Sequence, residues 1–463
     1  MRTFLLICFY VTLFIGFSAN SSLLLQDSIL ISNQKVEMRP AGVWLEQESA
    51  IAERLLFRNI SPAGTAAGVV IASPQNQNPN YFRHWTRDAG LTMDVVYRLS
   101  LRSKDFKKKV LLNDLLHDYA RFSRSNQLSA GLGEPIFETD GTPFLGPWGR
   151  PQNDGPAIRA SVLTQWANTL LDQGELEFVK NELFSGKLPV NTVIKADLEY
   201  VSNHWNEPCF DLWEEVKAKH FYTKMVQRKA LILGAKLARR MNDPYAADWY
   251  DMQARKLEAS ILEHVYQPSG KRDRKGRDDF ILASLDWTEG LNSKHSNLDV
   301  AVLLGVLHGH QGSFLNYSNP QIQKTFNLLE STFSELYPIN KKFQQLPPAI
   351  GRYSEDIYAG TNFDGGNPWV LATLAAAEYG YRLANEMVSK NPNLALRWMA
   401  KADHYVQRVQ FHANPDGTLS EQIDRYSGYM SSAQNLTWNY AAVLTTYWAR
   451  MELQKQLNKV KKY

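Results

Sequence analysis

From about residue 44 onward, apolar side chains recur three and four positions apart, the spacing that lays one face of an α-helix against a core. This pattern predicts helices over 44–58, 91–101, 106–122, 158–171, 221–241, 246–265, 320–336, 368–389, 395–409 and 436–457. Shorter stretches at 175–183, 190–202 and 298–307 bring the number to about a dozen, while the period-two alternation of strands is scarce. Loops rich in Gly, Pro, Asn and Asp, such as 73–80 and 131–154, lie between them. The expectation is an all-α chain with long loops at its helix ends.

Length alone would divide the 463 residues into about three domains of roughly 150 residues each. No repeat of fixed period, low-complexity block or shift in composition supports a division, however. About a dozen helices of roughly 14 residues with their loops use up the chain. One domain over 20–463 is therefore expected, with no appended binding module. The charged stretch 271–279 reads as a solvated loop and the basic tail 455–462 as the frayed end of the last helix.

The first 19 residues follow another grammar. Arg2 is followed by an apolar run through Phe4, Leu5, Leu6 and Ile7 to Phe14 and Ile15, then by the small residues Gly16, Ser18 and Ala19. The run is nearer about 14 residues than the roughly 20 needed to cross a bilayer, so a cleaved export signal over 1–19 is expected, with no stable membrane insertion afterwards. The mature protein then belongs to the secretory pathway, either outside the cell or in a vacuolar or other endomembrane lumen. Asn-x-Ser/Thr triplets at Asn20, Asn59, Asn316 and Asn435 fit passage through a glycosylating compartment. Of the two cysteines, Cys8 leaves with the signal and Cys209 remains, which excludes a disulfide scaffold.

Composition narrows the functional classes. Hydrophobic residues make up 44% of the chain, enough for a sizeable core. The 51 basic and 47 acidic side chains leave a net charge of +4, too weak for a nucleic-acid surface. A phosphate-cradling glycine loop is missing: Gly131-Leu132-Gly133 lacks its third glycine and follows no strand pattern. Nor is there a Gly-x-Ser-x-Gly elbow or a His-Glu-x-x-His helix, and His308 and His310 sit in an apolar context that reads as structural. No ligand cluster calls for a metal or cofactor.

The 12 Trp, 21 Tyr and 21 Phe are a surplus that asks for a use. Five segments combine aromatic, basic and carboxylate residues next to predicted helices. They are 81–88 (Tyr-Phe-Arg-His-Trp-Thr-Arg-Asp), 148–156 (Trp-Gly-Arg-Pro-Gln-Asn-Asp-Gly-Pro), 210–215 (Phe-Asp-Leu-Trp-Glu-Glu), 351–369 and 419–438. Sugars present apolar ring faces edged by hydroxyls, so a site for them needs flat aromatic walls with charged, bidentate partners at the rim. Each segment alone also reads as a helix cap or an acidic helix start. Glu214 and Glu215 lie beside Trp213. Apolar burial and the neighbouring negative charge would raise a carboxyl pKa there, so that one of the two stays protonated and donates. Glu421, flanked by Ser420 and Gln422, is expected to stay ionised and to accept a proton from water, though a surface acid would look the same.

Taken in order, Trp85-Thr86-Arg87-Asp88, Gly149 to Pro156, Asp211 to Glu215 and Ser420-Glu421-Gln422 resemble the glucoamylases of glycoside hydrolase family 15, particularly the fungal and yeast members. The resemblance runs from about Trp44 to Trp448. It implies an (α/α)6 toroid, a six-hairpin glycosidase fold with the site on the loops at one end of the inner helices. It also implies an exo-acting, inverting hydrolase that frees β-D-glucose from the non-reducing ends of starch, glycogen or maltodextrin, cutting α-1,4 bonds and, more slowly, α-1,6 bonds. On this resemblance Glu214 is the general acid and Glu421 the general base, separated by roughly 6.5 to 9.5 Å to admit a water molecule. Arg87 and Asp88 hold the terminal glucose, Arg352 the hydroxyls near the cleaved bond, and Glu215 the next sugar. Trp85, Trp148, Trp213 and Trp369 form aromatic walls, and Tyr81 faces the oxocarbenium-like transition state. Trp438 and Gln422 position Glu421, and Leu212 offers a backbone carbonyl. The substrate partner is an α-glucan, no cofactor is implied, and a monomer is expected. Two departures stand out: the chain lacks the disulfides and starch-binding module of many relatives, and its loop 359–366 is longer than in the compact fungal form. A hydrolase of another α-glucoside, such as trehalose or dextran, and a non-catalytic carbohydrate-binding protein are the alternatives.

Overall fold

The computed structural model of the protein describes residues 28–31, 34–265 and 280–460. The export signal at 1–19, the Asn20 triplet and the charged stretch 271–279 lie outside the described residues. The chain opens on a hairpin of β1 (Ser28–Ile31) and β2 (Gln34–Glu37). Helix α1 (Ala41–Arg58) follows, and β3 (His84–Trp85) leads into α2 (Thr86–Arg102). After α3 (Phe106–Ser129), strand β4 (Ile136–Phe137) pairs with β3, and α4 (Asp154–Asp172) begins. A short α5 (Leu176–Phe178), continued by a wider turn over Val179–Leu183, precedes α6 (Val193–His204).

Strands β5 (Cys209–Phe210) and β6 (Val216–His220) lead to α7 (Phe221–Arg240) and α8 (Pro244–Val265). Strand β7 (Ser284–Gly290) completes an antiparallel three-stranded sheet in the order β5-β6-β7. Then come α9 (Ala301–Gly309), α10 (Pro320–Leu336), the short α11 (Pro338–Lys342), α12 (Val370–Met387) and α13 (Pro392–His412). A hairpin of β8 (Ser420–Ile423) and β9 (Met430–Gln434) ends at α14 (Thr437–Val460).

Long helices alternate between two layers. α2, α4, α7, α9, α12 and α14 each touch the next, and α14 touches α2, which closes a ring of six. α1, α3, α6, α8, α10 and α13 pack outside α14, α2, α4, α7, α9 and α12 respectively. Burial follows the layers. The inner α12 is buried around its whole girth, and its Ala-rich run lets neighbours approach closely. The outer α10 buries one stripe, Ile322, Thr325, Phe326, Leu329 and Phe333, at the three-four spacing that predicted it. Each large apolar side chain fully removed from water in such a stripe contributes about 1.5–3 kcal/mol. Side-chain caps fix several starts: Asp105 accepts the amides of Lys107 and Lys108, and Asn319 and Asn391 cap helices whose next residue is Pro.

The helices predicted from periodicity are present and most ends move by a few residues, but α3 runs on from the expected 122 to Ser129, and the stretch 175–183 is divided between α5 and the wider turn. The third and fifth aromatic segments do not sit directly at helix starts, as expected, but on the β5-β6 and β8-β9 hairpins, each of which then feeds an inner helix. Two of the sequons sit in packed surroundings. Asn59 is buried, and its Nδ2 donates to the Asn435 carbonyl at 3.0 Å and to Thr437 Oγ1 at 2.8 Å. That amide is spent on joining α1 to the start of α14. Asn435 accepts from the Tyr440 hydroxyl at 2.5 Å. Among the described residues no helix is long and apolar enough to cross a membrane.

Candidate active site

All five aromatic segments, and a sixth segment at 294–300, lead into the N-terminal ends of inner helices. Those ends carry partial positive charge and unpaired amides, so the shared mouth of the ring favours carboxylates. There the chain builds a cavity of about 470 Å³. Every residue expected in the site lines it except Gln422, which lies directly behind Glu421. The glutamates 214 and 421, 207 positions apart in the chain, thus face one hollow.

Glu214 sits in the tight turn between β5 and β6, where its own φ is +69°, a left-handed conformation that side-chain-bearing residues adopt at a cost. Asp211 holds the turn. Its Oδ1 accepts the amides of Glu215 at 2.8 Å and Val216 at 3.1 Å, and its Oδ2 faces the Lys294 ammonium at 3.2 Å. Lys294 also pairs with Asp299 at 2.5 Å, and Asp299 accepts Trp213 Nε1 at 3.1 Å. Burial would raise the Asp211 pKa, but Lys294, His220 and the two amides outweigh it and hold the carboxyl below its usual range. Gly149 passes so close that a Cβ there would lie 2.9 Å from the Glu214 carbonyl and 2.7 Å from the Phe210 ring. Only glycine lets the 148–156 segment close against this turn.

Hydrogen bonding separates the two adjacent glutamates. Glu214 Oε1 accepts three donors: Trp85 Nε1 at 2.8 Å, Arg87 Nη2 at 3.2 Å and Gln152 Nε2 at 3.2 Å. No donor among the described residues reaches Oε2, which leaves that oxygen to carry a proton into the cavity. In Glu215 both oxygens are engaged, Oε1 by Arg352 Nη2 at 2.8 Å and Oε2 by the Tyr353 hydroxyl at 2.6 Å. Burial raises the Glu214 pKa above its usual value, with Asp88 adding to the rise and Arg87 and Gln152 opposing it. The negative charge acting on Glu214 is therefore Asp88, not Glu215 as sequence adjacency suggested. Side chains of neighbouring residues in a tight turn diverge. Burial raises Glu215 as well, opposed first by Arg352.

Arg87 and Asp88 form the first turn of α2, both buried. Arg87 Nη1 donates to Gln152 at 2.9 Å and pairs with Asp154 at 3.2 Å, so the 148–156 segment fixes its guanidinium. Arg352 is pinned by Asp356 at 2.8 and 2.6 Å, with the Trp213, Tyr358 and Trp369 rings about it at 5.4, 5.3 and 5.2 Å. Trp148, 38% exposed, stands at the rim and meets Trp85 edge-on at 5.9 Å. Leu212 lines the cavity, and its carbonyl receives no hydrogen bond from the described residues.

Glu421 projects from β8 and is 1% exposed. Its Oε2 accepts Ser432 Oγ at 2.5 Å from the paired strand β9 and Gln422 Nε2 at 3.1 Å. Gln422 is oriented in turn, since its Oε1 accepts Asn367 Nδ2 at 2.9 Å. The expectation that Glu421 simply stays ionised needs correction: burial pushes its pKa up to about 7, although Ser432, Tyr81, Arg352 and Gln422 all pull it down. Tyr81 reaches the same region, its hydroxyl 2.9 Å from that of Tyr358.

Trp438 lines the cavity with Glu421, as expected. Among the described residues no hydrogen bond joins the two, so any effect of Trp438 on Glu421 is one of packing. Its indole forms part of the inner wall, 6.0 Å from the His308 ring and shared with a cavity of about 50 Å³ deeper in the ring. His308 is structural, as its apolar context implied, with burial holding it neutral and its pKa near 3.

Sequence reading missed Ser432, Lys294 and Asp299. Ser432 gave a weak signal, an alternating stretch after a Gly-containing turn. The two partners of the buried ion network gave none, because the network forms only once 211 and 294–299 meet.

The family model for glycosyl hydrolases family 15 matches residues 50–448. A glucoamylase of Blastobotrys adeninivorans is 35% identical over 459 residues, covering 89% of this chain and 72% of that protein. Glucoamylase 1 of Rhizopus oryzae is 34% identical, covering 88% and 70% respectively. The solved structure of a glucoamylase from Saccharomycopsis fibuligera superposes with a TM-score of 0.77 at 28% identity, over 91% of this chain and 98% of that one.

Proposed function

The chain belongs to the glycosyl hydrolases of family 15, and from that membership we propose that it is an exo-acting, inverting glucoamylase. It removes terminal α-1,4-linked glucose, and more slowly α-1,6-linked glucose, from the non-reducing ends of starch, glycogen or maltodextrin. The observation that carries this reading is one cavity lined by two glutamates in unlike surroundings. Inverting hydrolysis needs a carboxylic acid to protonate the leaving oxygen while a carboxylate on the opposite face draws a proton from water. Glu214 suits the first task, because its three donors crowd one oxygen and leave the other free to carry a proton, while burial raises its pKa. Glu421 suits the second, because Ser432 and Gln422 steady its Oε2 and oppose the burial that lifts its pKa to about 7.

Substrate placement follows from the lining. Buried Arg87 and Asp88 meet the hydroxyls of the terminal glucose, and with Trp438 they close the cavity behind it, which limits attack to chain ends. Tyr81 faces the positive charge that develops on the ring. Arg352 and Glu215 meet the second sugar between the walls of Trp148, Trp213 and Trp369. We infer a monomer as the working state. The N-terminal signal grammar supports a secretory lumen or the cell exterior as the mature protein's location.

Product analysis on maltotriose and trehalose tests the reading. Maltotriose should yield glucose and maltose in equal amounts in the first turnovers, and trehalose should be left intact. A preference for trehalose would refute it, as would sugar binding without any cleavage.

A further inference from the structure

We propose that Phe363 forms an outer subsite, a platform for the apolar face of a glucose unit beyond the two that flank the cleaved bond. The inference rests on the α-glucan reading above. Trp369 is buried in the cavity wall, Tyr358 lies 6.2 Å from it, and Phe363 lies 6.0 Å from Tyr358, with ring planes tilted by 43° and 51°. The three rings make a row running from the wall out to solvent, where Phe363 is 69% exposed. A Phe so placed contributes little to the core, yet it offers the flat apolar face that sugar rings stack on.

The loop that carries it is built rather than loose. The Ala359 amide bonds the Asn362 carbonyl at 2.9 Å, and the amides of Gly365 and Gly366 return to the carbonyls of Ile357 at 3.1 Å and Asp356 at 2.7 Å. Arg425 Nη1 ties the Gly366 carbonyl at 3.1 Å. Gly360, at φ +86°, presses on the serine that steadies Glu421: a Cβ there would lie 2.5 Å from Ser432 Oγ. One end of the loop thus packs on the catalytic hairpin while its tip presents Phe363 beside the mouth. Half-exposed Trp148, backed by the Phe144 ring at 5.8 Å, lines the same cavity as Tyr358 and Trp369. On this proposal a chain leaving the cavity reducing end outward meets the exposed Phe363 face after Trp369 and Tyr358.

The test is the ratio of kcat/KM on maltohexaose to kcat/KM on maltose, measured for the full chain and for Phe363→Ala and Phe363→Trp. The ratio should fall about three- to tenfold in Phe363→Ala, the loss of one aromatic stacking contact, and return in Phe363→Trp. An unmoved ratio, or an equal fall on both substrates, overturns the outer subsite while leaving the glucoamylase reading standing. A wild-type chain that frees glucose from neither substrate overturns both.

Discussion

Glu214→Gln removes nearly all turnover on maltotriose, a loss of about a thousand- to ten-thousandfold, while maltose still binds. The amide keeps an oxygen for Trp85, Arg87 and Gln152, so the fold around the turn is kept. What disappears is the dissociable proton at the Oε2 position. A leaving group that needs no proton separates this role from a merely structural one. α-D-Glucosyl fluoride expels fluoride, a stable anion, so the variant should hydrolyse it at a rate within about tenfold of the wild-type enzyme, since the general-acid contribution no longer applies. Steady-state rates on the two substrates check this, and equal losses on both would remove Glu214 from the acid's role.

Glu421→Gln has the opposite signature. Water must be activated whichever group leaves, so turnover should drop about a hundred- to ten-thousandfold on maltotriose and on the fluoride alike. The pH profile supplies the sign. The productive form has its proton on Glu214 and none on Glu421. Activity therefore falls toward alkaline pH as Glu214, its pKa raised by burial, gives up its proton. It falls toward acid pH as Glu421 takes one on. The two groups share one cavity, and the apparent values belong to the pair. With the fluoride as substrate, Glu214→Gln should keep the acid limb and lose the alkaline one.

How far these assignments were legible in the sequence depended on the range of the physics involved. The helices were legible because burial in a ring of hairpins imposes a three-four spacing over many turns, as in the Ile322 to Phe333 stripe of α10. The hairpins at 209–220 and 420–434 were not, because strands of two to five residues are too short for their alternation to stand out. Arg87, Asp88, Glu214 and Glu421 announced themselves through their aromatic neighbours and the family resemblance. Their finer chemistry did not: Asp88 acts on Glu214 across 126 positions of chain, and Ser432 reaches Glu421 only through the β8-β9 pairing. Asn59 shows the reverse case, since its triplet reads as a surface sequon until the fold places its amide against Asn435 and Thr437.

The central claim is that water, activated by Glu421, attacks the glucose ring from the face opposite the oxygen that Glu214 protonates. Proton NMR of the first glucose released from maltotriose, recorded before mutarotation, reads that geometry directly. The account predicts the β anomer as the initial product, relaxing afterwards toward the equilibrium mixture. Initial α-D-glucose would contradict it.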